Sequence, residues 1–298
     1  MQFTENKTTV KIGQCRATCL AKTRHFATQP QIITWELAYP RFIHAELMTH
    51  RVFSRNAASS RATPLRVTLN EVRENPAFFS HVGAERPGMV AGCDLDGTEL
   101  EQFRADWMEL GSMVADRVEA MSKRFGIHKQ VLNRALEPWL YIRTIVTTTD
   151  VENFYRLRIA PDAQPEMRDL ATCMNISSKR ATESNSRLHM PYFAEGEALK
   201  LGLTLEQLIV RNIAAAARVC ILRHDGKQPT LEQDYALVRR LAREGHMTPF
   251  EHVAYAFGGK RRCANLKGWK SIRNALETCA NDWVTETMMN VVRGKTDD

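Results

Sequence analysis

The chain has 298 residues, 44% of them hydrophobic and 25% charged, a balance ordinary for a soluble globular protein that excludes extended disorder. Its apolar runs fall far short of the ~20 residues that cross a bilayer, and Met1 to Lys11 are too polar for a signal peptide, so a cytosolic place and no membrane partner are expected. Lys and Arg number 41 against 34 Asp and Glu, a surplus of +7 that suits an anionic partner such as nucleic acid, a nucleotide or a phosphate-bearing cofactor, though a merely basic protein has the same count.

In chain order, Gln31 to Leu37 is β-rich and runs into Tyr39-Pro40, which predicts a strand stopped by proline. From Arg41 to Arg55 there is neither Gly nor Pro, and Phe42, Ala45 and Met48 recur at helical spacing, so a helix is expected there, then a loop over Ala58 to Pro64. Residues 75–98 are rich in Gly and Pro and read as a long irregular connection. Leu100, Phe103, Trp107, Leu110, Val114, Val118, Met121 and Phe125 trace one helix face that Gly126 closes. A short helix over 127–137, a strand over Tyr141 to Thr149, a helix capped by Asp150 and another over 165–175 follow. Thr204 with Gln207 and Thr230 with Gln233 form capping boxes, and Thr248-Pro249-Phe250-Glu251 has the composition of a helix start. Val253 to Phe257 suits a strand. Without regular βαβ alternation the expected class is α+β, a mixed sheet flanked by helices, in one domain over 1–298.

Cysteines stand at 15, 19, 93, 173, 220, 263 and 279 with no C-x-x-C, which argues for reduced thiols and against zinc. The chain also lacks G-x-G-x-x-G, the P-loop, G-x-S-x-G and H-E-x-x-H, so any phosphate must be held by side chains or helix ends. Four polar clusters remain. They are Thr49 to Arg61, His128 to Arg134, Asn153 to Arg158 with Ala163-Gln164-Pro165-Glu166, and His246 to His252. Each by itself also fits a solvated helix face or a capping box.

Together the clusters resemble the flavin-dependent thymidylate synthases. That family's R-H-R-x-x-S-x-N-x-x-S-x-R is matched by Thr49-His50-Arg51, Ser54, Asn56, Ser59 and Arg61, its N-F-x-x-L-R and A-Q-x-E by Asn153 to Glu166, its H-x-T-P-F-E-H by His246 to His252, and its Arg four residues before Pro by Arg134 and Pro138. In ordinary members the H-x-T-P-F-E-H block comes first; here it comes last, at 246–252, so the chain resembles a circularly permuted, phage-type member, in which case the host cytoplasm is the expected place.

The resemblance implies FAD as cofactor, with NADPH and methylenetetrahydrofolate as co-substrates, and transfer of a one-carbon unit to C5 of dUMP to give dTMP. No protein thiol attacks the base in that scheme. Arg158 is implied as the catalytic, pyrimidine-contacting arginine, with Glu46, Ser59, Ser60, Arg61 and Arg134 on the substrate. Thr49, His50, Arg51, Asn56, Asn153, Thr248 and Glu251 are implied on the flavin, and His246 near the folate and nicotinamide, close to Arg51, Asn153 and Arg158 within one subunit or across an interface. A homotetramer with shared sites is implied, and no nucleic-acid partner. The chain departs from the pattern at Thr49 (Arg expected), Ala57 (Glu), Ala62 (aromatic) and Asp162 (His). Those departures leave room for dCMP as substrate or for a hydroxymethyl product; a basic nucleic-acid-binding module is a reading from another class.

Overall fold

A computed structural model describes residues 7–27, 29–196, 200, 202–219, 229–279 and 281–294; Cys220 and the polar Met1 to Asn6 lie outside them. The first layer is an antiparallel run of strands in the order β1 (Thr8–Ile12), β2 (Cys15–Arg24), β3 (Ile32–Pro40), β5 (Tyr141–Thr148), β4 (Ser54–Ala57). The short β6 (Ser184–Asn185) adds to β2 in parallel, so the sheet is mixed. β3 is buried along almost its whole length because strands flank it on both sides and helices cover it. β2 alternates, and its inward positions are Cys15, Ala17 and Cys19. Those two thiols are packing groups: burial above all raises both, Cys19 to about 12.

Helix α6 (Pro165–Arg180) lies on β1, β2 and β3 and buries Met167, Leu170, Ala171 and Met174 against Trp35, whose Nε1 donates to the Met174 carbonyl at 3.2 Å. Helices α2 (Leu65–Glu74) and α3 (Gly97–Phe125) form a second cluster with Leu132, Leu136 and Trp139. Gly126 ends α3 at φ +63°, as its place after the periodic run predicts.

The rest of the described chain builds a smaller antiparallel sheet, β11 (Trp269–Ser271), β8 (Ala254–Ala256), β7 (Leu188–His189), and a hairpin of β9 (Arg262–Cys263) and β10 (Leu266–Lys267). Around it pack α7 (Leu205–Arg218), α8 (Leu231–Arg243), α9 (Ile272–Thr278) and α10 (Trp283–Arg293), with a core that includes Ile213, Phe250, Val253 and Met288. Both expected capping boxes are present at the starts of α7 and α8. No helix among the described residues is long and apolar enough to cross a membrane.

Several local expectations are corrected. The helix expected over 41–55 is a 3-10 turn at Arg41–Ile43, then α1 (His44–Met48), a turn and β4. The Arg55 guanidinium donates to the carbonyls of Met48 (2.8 Å) and His50 (3.1 Å) and so ends the helix, while Ser54–Ala57 pair with Thr144–Thr147 of β5. By contrast β3 does end at Pro40, as expected, where the proline lies beyond the last residue that pairs with β2. The stretch after Ile127 is α4 (Lys129–Leu132) and a 3-10 helix (Asn133–Trp139) that contains Pro138. Asp150 does not cap α5 (Glu152–Arg158); its carboxylate pairs with Lys267 at 2.8 Å and Arg262 at 3.1 Å, and Lys267 first of all holds it below the usual carboxylate range. The T-P-F-E segment is a single 3-10 turn, Thr248–Glu251, without a side-chain cap bond.

Gly268 is a tight backbone position, with φ +70° and a site where a Cβ would stand 2.5 Å from the Gly259 carbonyl. Gly268→Ala is expected to destabilise by roughly 1–3 kcal/mol from backbone strain, more with the clash, read as a lowered urea midpoint.

Candidate functional site

Phe154, 2% exposed, anchors α5 from below and leaves Arg158, one turn on, at the helix end. The turn after α1 brings His50 edge-on to the Phe154 ring, at 4.7 Å between centroids. Arg158 Nε donates to His50 Nε2 at 2.9 Å and its Nη2 to Thr49 Oγ1 at 3.1 Å, while Glu46 Oε2 lies 3.9 Å from Nη1. Burial, then Arg158 and Arg55, pushes His50 down to about 4, so the ring is neutral at pH 7 and its proton resides on Nδ1. Burial raises Glu46 even though Arg158 opposes it. The arginine side chain stays 23% exposed, oriented by His50 and Thr49 with Glu46 close by.

The C-terminal half meets this centre at β4. Asn56 Nδ2 donates to the Ala216 carbonyl at 2.9 Å, and Thr248 Oγ1 stands 3.5 Å from Asn56 Oδ1. Glu251 is held by Arg273 at 2.7 Å and exerts an attractive field on Arg55, the arginine that also ends α1. A cavity of about 240 Å³ opens beside Glu251, lined also by Ser54, Asn265, Ser271, Arg273 and Glu277.

A third group gathers on the loop after β4. Asn133 Nδ2 ties down the carbonyls of Ser60 (2.7 Å) and Thr63 (3.1 Å). Glu137 Oε1 accepts from Ser60 Oγ at 2.7 Å and Arg134 Nη1 at 3.1 Å, with Arg41 Nη2 at 3.3 Å. The Ser59 hydroxyl accepts from the Arg61 amide at 3.3 Å, and the Arg61 side chain is exposed.

Of the residues singled out in the sequence, Glu46, Thr49, His50 and Arg158 touch one another, Asn56 meets Thr248, and Ser60 and Arg134 share Glu137. Arg51 is exposed, and among the described residues nothing holds its guanidinium. Asn153 is exposed and accepts from Arg156 at 2.7 Å. His246, also exposed, pairs with Glu244 at 3.7 Å and among the described residues contacts none of Arg51, Asn153 and Arg158. Gln164 and Glu166 serve the scaffold: Gln164 caps α6, and Glu166, 1% exposed, accepts from the Ser80 amide at 2.6 Å.

Three features escaped the sequence reading. Arg55 lay inside the Thr49 to Arg61 cluster without a role of its own and Glu137 lay outside all four clusters, and only their partners in the fold reveal them. The third is a buried chain in which Thr23 Oγ1 meets His189 Nδ1 (2.9 Å), His189 Nε2 meets Thr34 Oγ1 (2.7 Å), Thr34 meets Thr147 (2.6 Å) and Thr147 meets His252 Nδ1 (2.8 Å). It ties β2, β3 and β5 to β7 and to the residue after Glu251. The period-2 placement of Thr147 in β5 was the one signal available.

Among solved structures, thymidylate synthase X from Helicobacter pylori with FAD and dUMP is 22% identical, over 49% of this chain and 67% of that one, with a TM-score of 0.32. A UMP/dUMP methylase, PolB from Streptomyces cacaoi bound with 5-Br UMP, is 17% identical, over 51% of this chain and 71% of that one, with a TM-score of 0.41. No curated protein matches the chain. Residues 17–181, which hold β2 through α6 and with them His50, Arg134 and Arg158, match the sequence model Thy1 over more than half of the chain, so the chain belongs to the thymidylate synthase complementing protein family.

Proposed function

We propose that the protein is a flavin-dependent enzyme that modifies C5 of dUMP and, more finely, that it transfers a one-carbon unit from methylenetetrahydrofolate to that carbon, with NADPH as reductant, to give dTMP. The observation that carries this reading is the Arg158 centre: a part-exposed guanidinium held by an uncharged imidazole and a hydroxyl, in the family's N-F-x-x-L-R block. In that reaction C5 loses a proton and the methylene carbon gains a hydride equivalent. Negative charge on the pyrimidine edge is what Arg158 stabilises, as a charge-assisted donor fixed before the substrate arrives. Ser59, Ser60, Arg61 and Arg134 hold the phosphate, and Glu46 takes a donor of the base.

The donor set fits FAD. A flavin dinucleotide carries a pyrophosphate and a planar ring edge of alternating acceptors and an N–H; Arg51 suits the first, and the Nδ1–H of His50, Asn56, Thr248 and Glu251 suit the second, with Thr49 and Asn153 assigned to the flavin by the resemblance. FAD when bound would supply the two-electron chemistry. His246, exposed at its turn, is assigned to the folate and nicotinamide side. The contact of Thr248 with Asn56 supports reading the chain as one thymidylate synthase-like unit over 1–298, with its H-x-T-P-F-E-H block permuted to 246–252. A homotetramer with shared sites and a cytoplasmic place, the host's if phage-encoded, belong to the same proposal.

Ala57 and Ala62 favour a second reading, a methylase or hydroxymethylase of dUMP or dCMP on the same scaffold, since they stand where the family pattern has an acid and an aromatic on the pyrimidine or folate side. Purified protein is expected to be yellow with a flavin absorption band, and incubation with dUMP, methylenetetrahydrofolate and NADPH to yield a product of the mass of dTMP. Colourless protein that FAD does not restore rejects both readings; a hydroxymethyl product, or turnover of dCMP alone, selects the second.

A further inference from the structure

We propose that Glu137 is a resident anion in the phosphate subsite: its carboxylate holds Ser60, Arg134 and Arg41 when no nucleotide is present, competes with the 5′-phosphate for them, and so sets how strongly the site prefers a phosphate-bearing ligand. The inference rests on the nucleotide reading above and deepens it. One oxygen, Oε1, takes all three groups, at 2.7, 3.1 and 3.3 Å. Two of them, Ser60 and Arg134, are among the residues that the proposed function puts on the phosphate. Convergence of a hydroxyl and two guanidinium groups on one oxygen is how a protein grips an anion, and here the protein supplies the anion itself.

A surface helix pair does not account for the arrangement. Arg134 and Glu137 are three residues apart, but Ser60 comes from 77 residues away and is buried, and the Arg41 side chain is only 15% exposed. Asn133, fully buried, bonds the Ser60 carbonyl, so the loop and the 3-10 helix bearing Arg134 and Glu137 form one support. Ser60 and Arg41 are therefore held where they stand, while Arg134, 59% exposed, is held there by Glu137 itself.

The charge balance gives the consequence. Two guanidinium groups face one carboxylate. A nucleoside monophosphate is close to dianionic at pH 7, with a second pKa near 6. Entry of the phosphate either displaces Glu137 or sets two anions side by side, and both lower affinity. Ser59 and the exposed Arg61 lie outside this lock and offer the first contacts.

Calorimetric titration of the full-length protein with dUMP, inorganic phosphate and 2′-deoxyuridine tests it. In Glu137→Gln the Kd for dUMP and for phosphate is expected to fall on the order of tenfold, about 1.4 kcal/mol, while that for deoxyuridine stays as it was. Glu137→Asp, which keeps the charge and draws it back by one methylene, is expected to give a smaller gain. Unchanged or weaker phosphate binding in a variant with a wild-type melting profile overturns the inference, and the Asp variant serves if the Gln variant does not fold. Tighter phosphate with no binding of dUMP or dCMP rejects the nucleotide reading and keeps this one. Normal dUMP binding with no gain in the variants rejects this one alone.

Discussion

Arg158→Ala lowers kcat by a factor on the order of 10²–10³ in the expected outcome, the range seen when one preorganised donor to developing charge is removed. The side chain has three neighbours within the protein and remains part-exposed, so the fold loses little while the substrate loses its fixed positive charge. Flavin absorbance is expected to persist. Arg158→Lys is expected to rescue poorly, because a point charge on a flexible stem cannot bond His50 and Thr49 at once. A second readout separates the electrostatic role from a structural one. Arg158 is the second cause, after burial, of the depressed His50 pKa, so in the Ala variant the imidazole resonances are expected to titrate above the wild-type midpoint near 4. Wild-type turnover together with an unmoved His50 midpoint would refute the assignment.

Acid sensitivity is the second large effect. His189 and His252 are fully buried, and burial pushes both down to about 3, with the neighbouring His189 adding to the effect at His252. An unfolded histidine titrates near 6.5. Between these values the unfolded state binds protons that the folded state refuses, so stability is complete above about pH 6.5 and declines as pH falls towards 3. Each histidine contributes a slope of up to about 1.4 kcal/mol per pH unit across that window. Urea midpoints measured from pH 7.5 to 4 are expected to drop steeply, and His252→Asn, which keeps a hydrogen-bonding group near Thr147, is expected to flatten the dependence. Thr147→Val strips His252 Nδ1 of its partner and leaves Thr34 with His189 alone, and is expected to cost roughly 1–3 kcal/mol at pH 7. A Thr147→Val protein as stable as wild type, or a pH profile that His252→Asn leaves unchanged, contradicts this account. Since His252 follows Glu251 directly, the same chain seats the T-P-F-E turn against β4.

Local signals decided much of this architecture. The long periodic run to Phe125, the two capping boxes and the β-branched Tyr141–Thr148 strand act within a few residues, and each appears where its side-chain chemistry directs. The family was legible as well, since motif chemistry at fixed spacing is carried by the order of side chains. The helix expected over 41–55 failed because its second half had a better offer from afar: four residues gain a strand partner in β5, and Arg55 turns back to cap α1. Asp150 likewise left a local cap for two cations more than a hundred residues away.

From the residues in order come the α+β class, the surplus of positive charge, the four motifs and, through them, Arg158 as the group to watch. Only the folded chain could settle that His50 is uncharged, that Arg55 joins the helix end to the field of Glu251, that two histidines and three threonines share one buried thread, and that Glu137 stands among the phosphate-assigned side chains. The division is physical. Periodicity, caps and motif spacing are short-range properties carried by the order of side chains, whereas burial, pKa and the sharing of one carboxylate by three donors depend on which distant atoms the packed fold brings within about 3 Å.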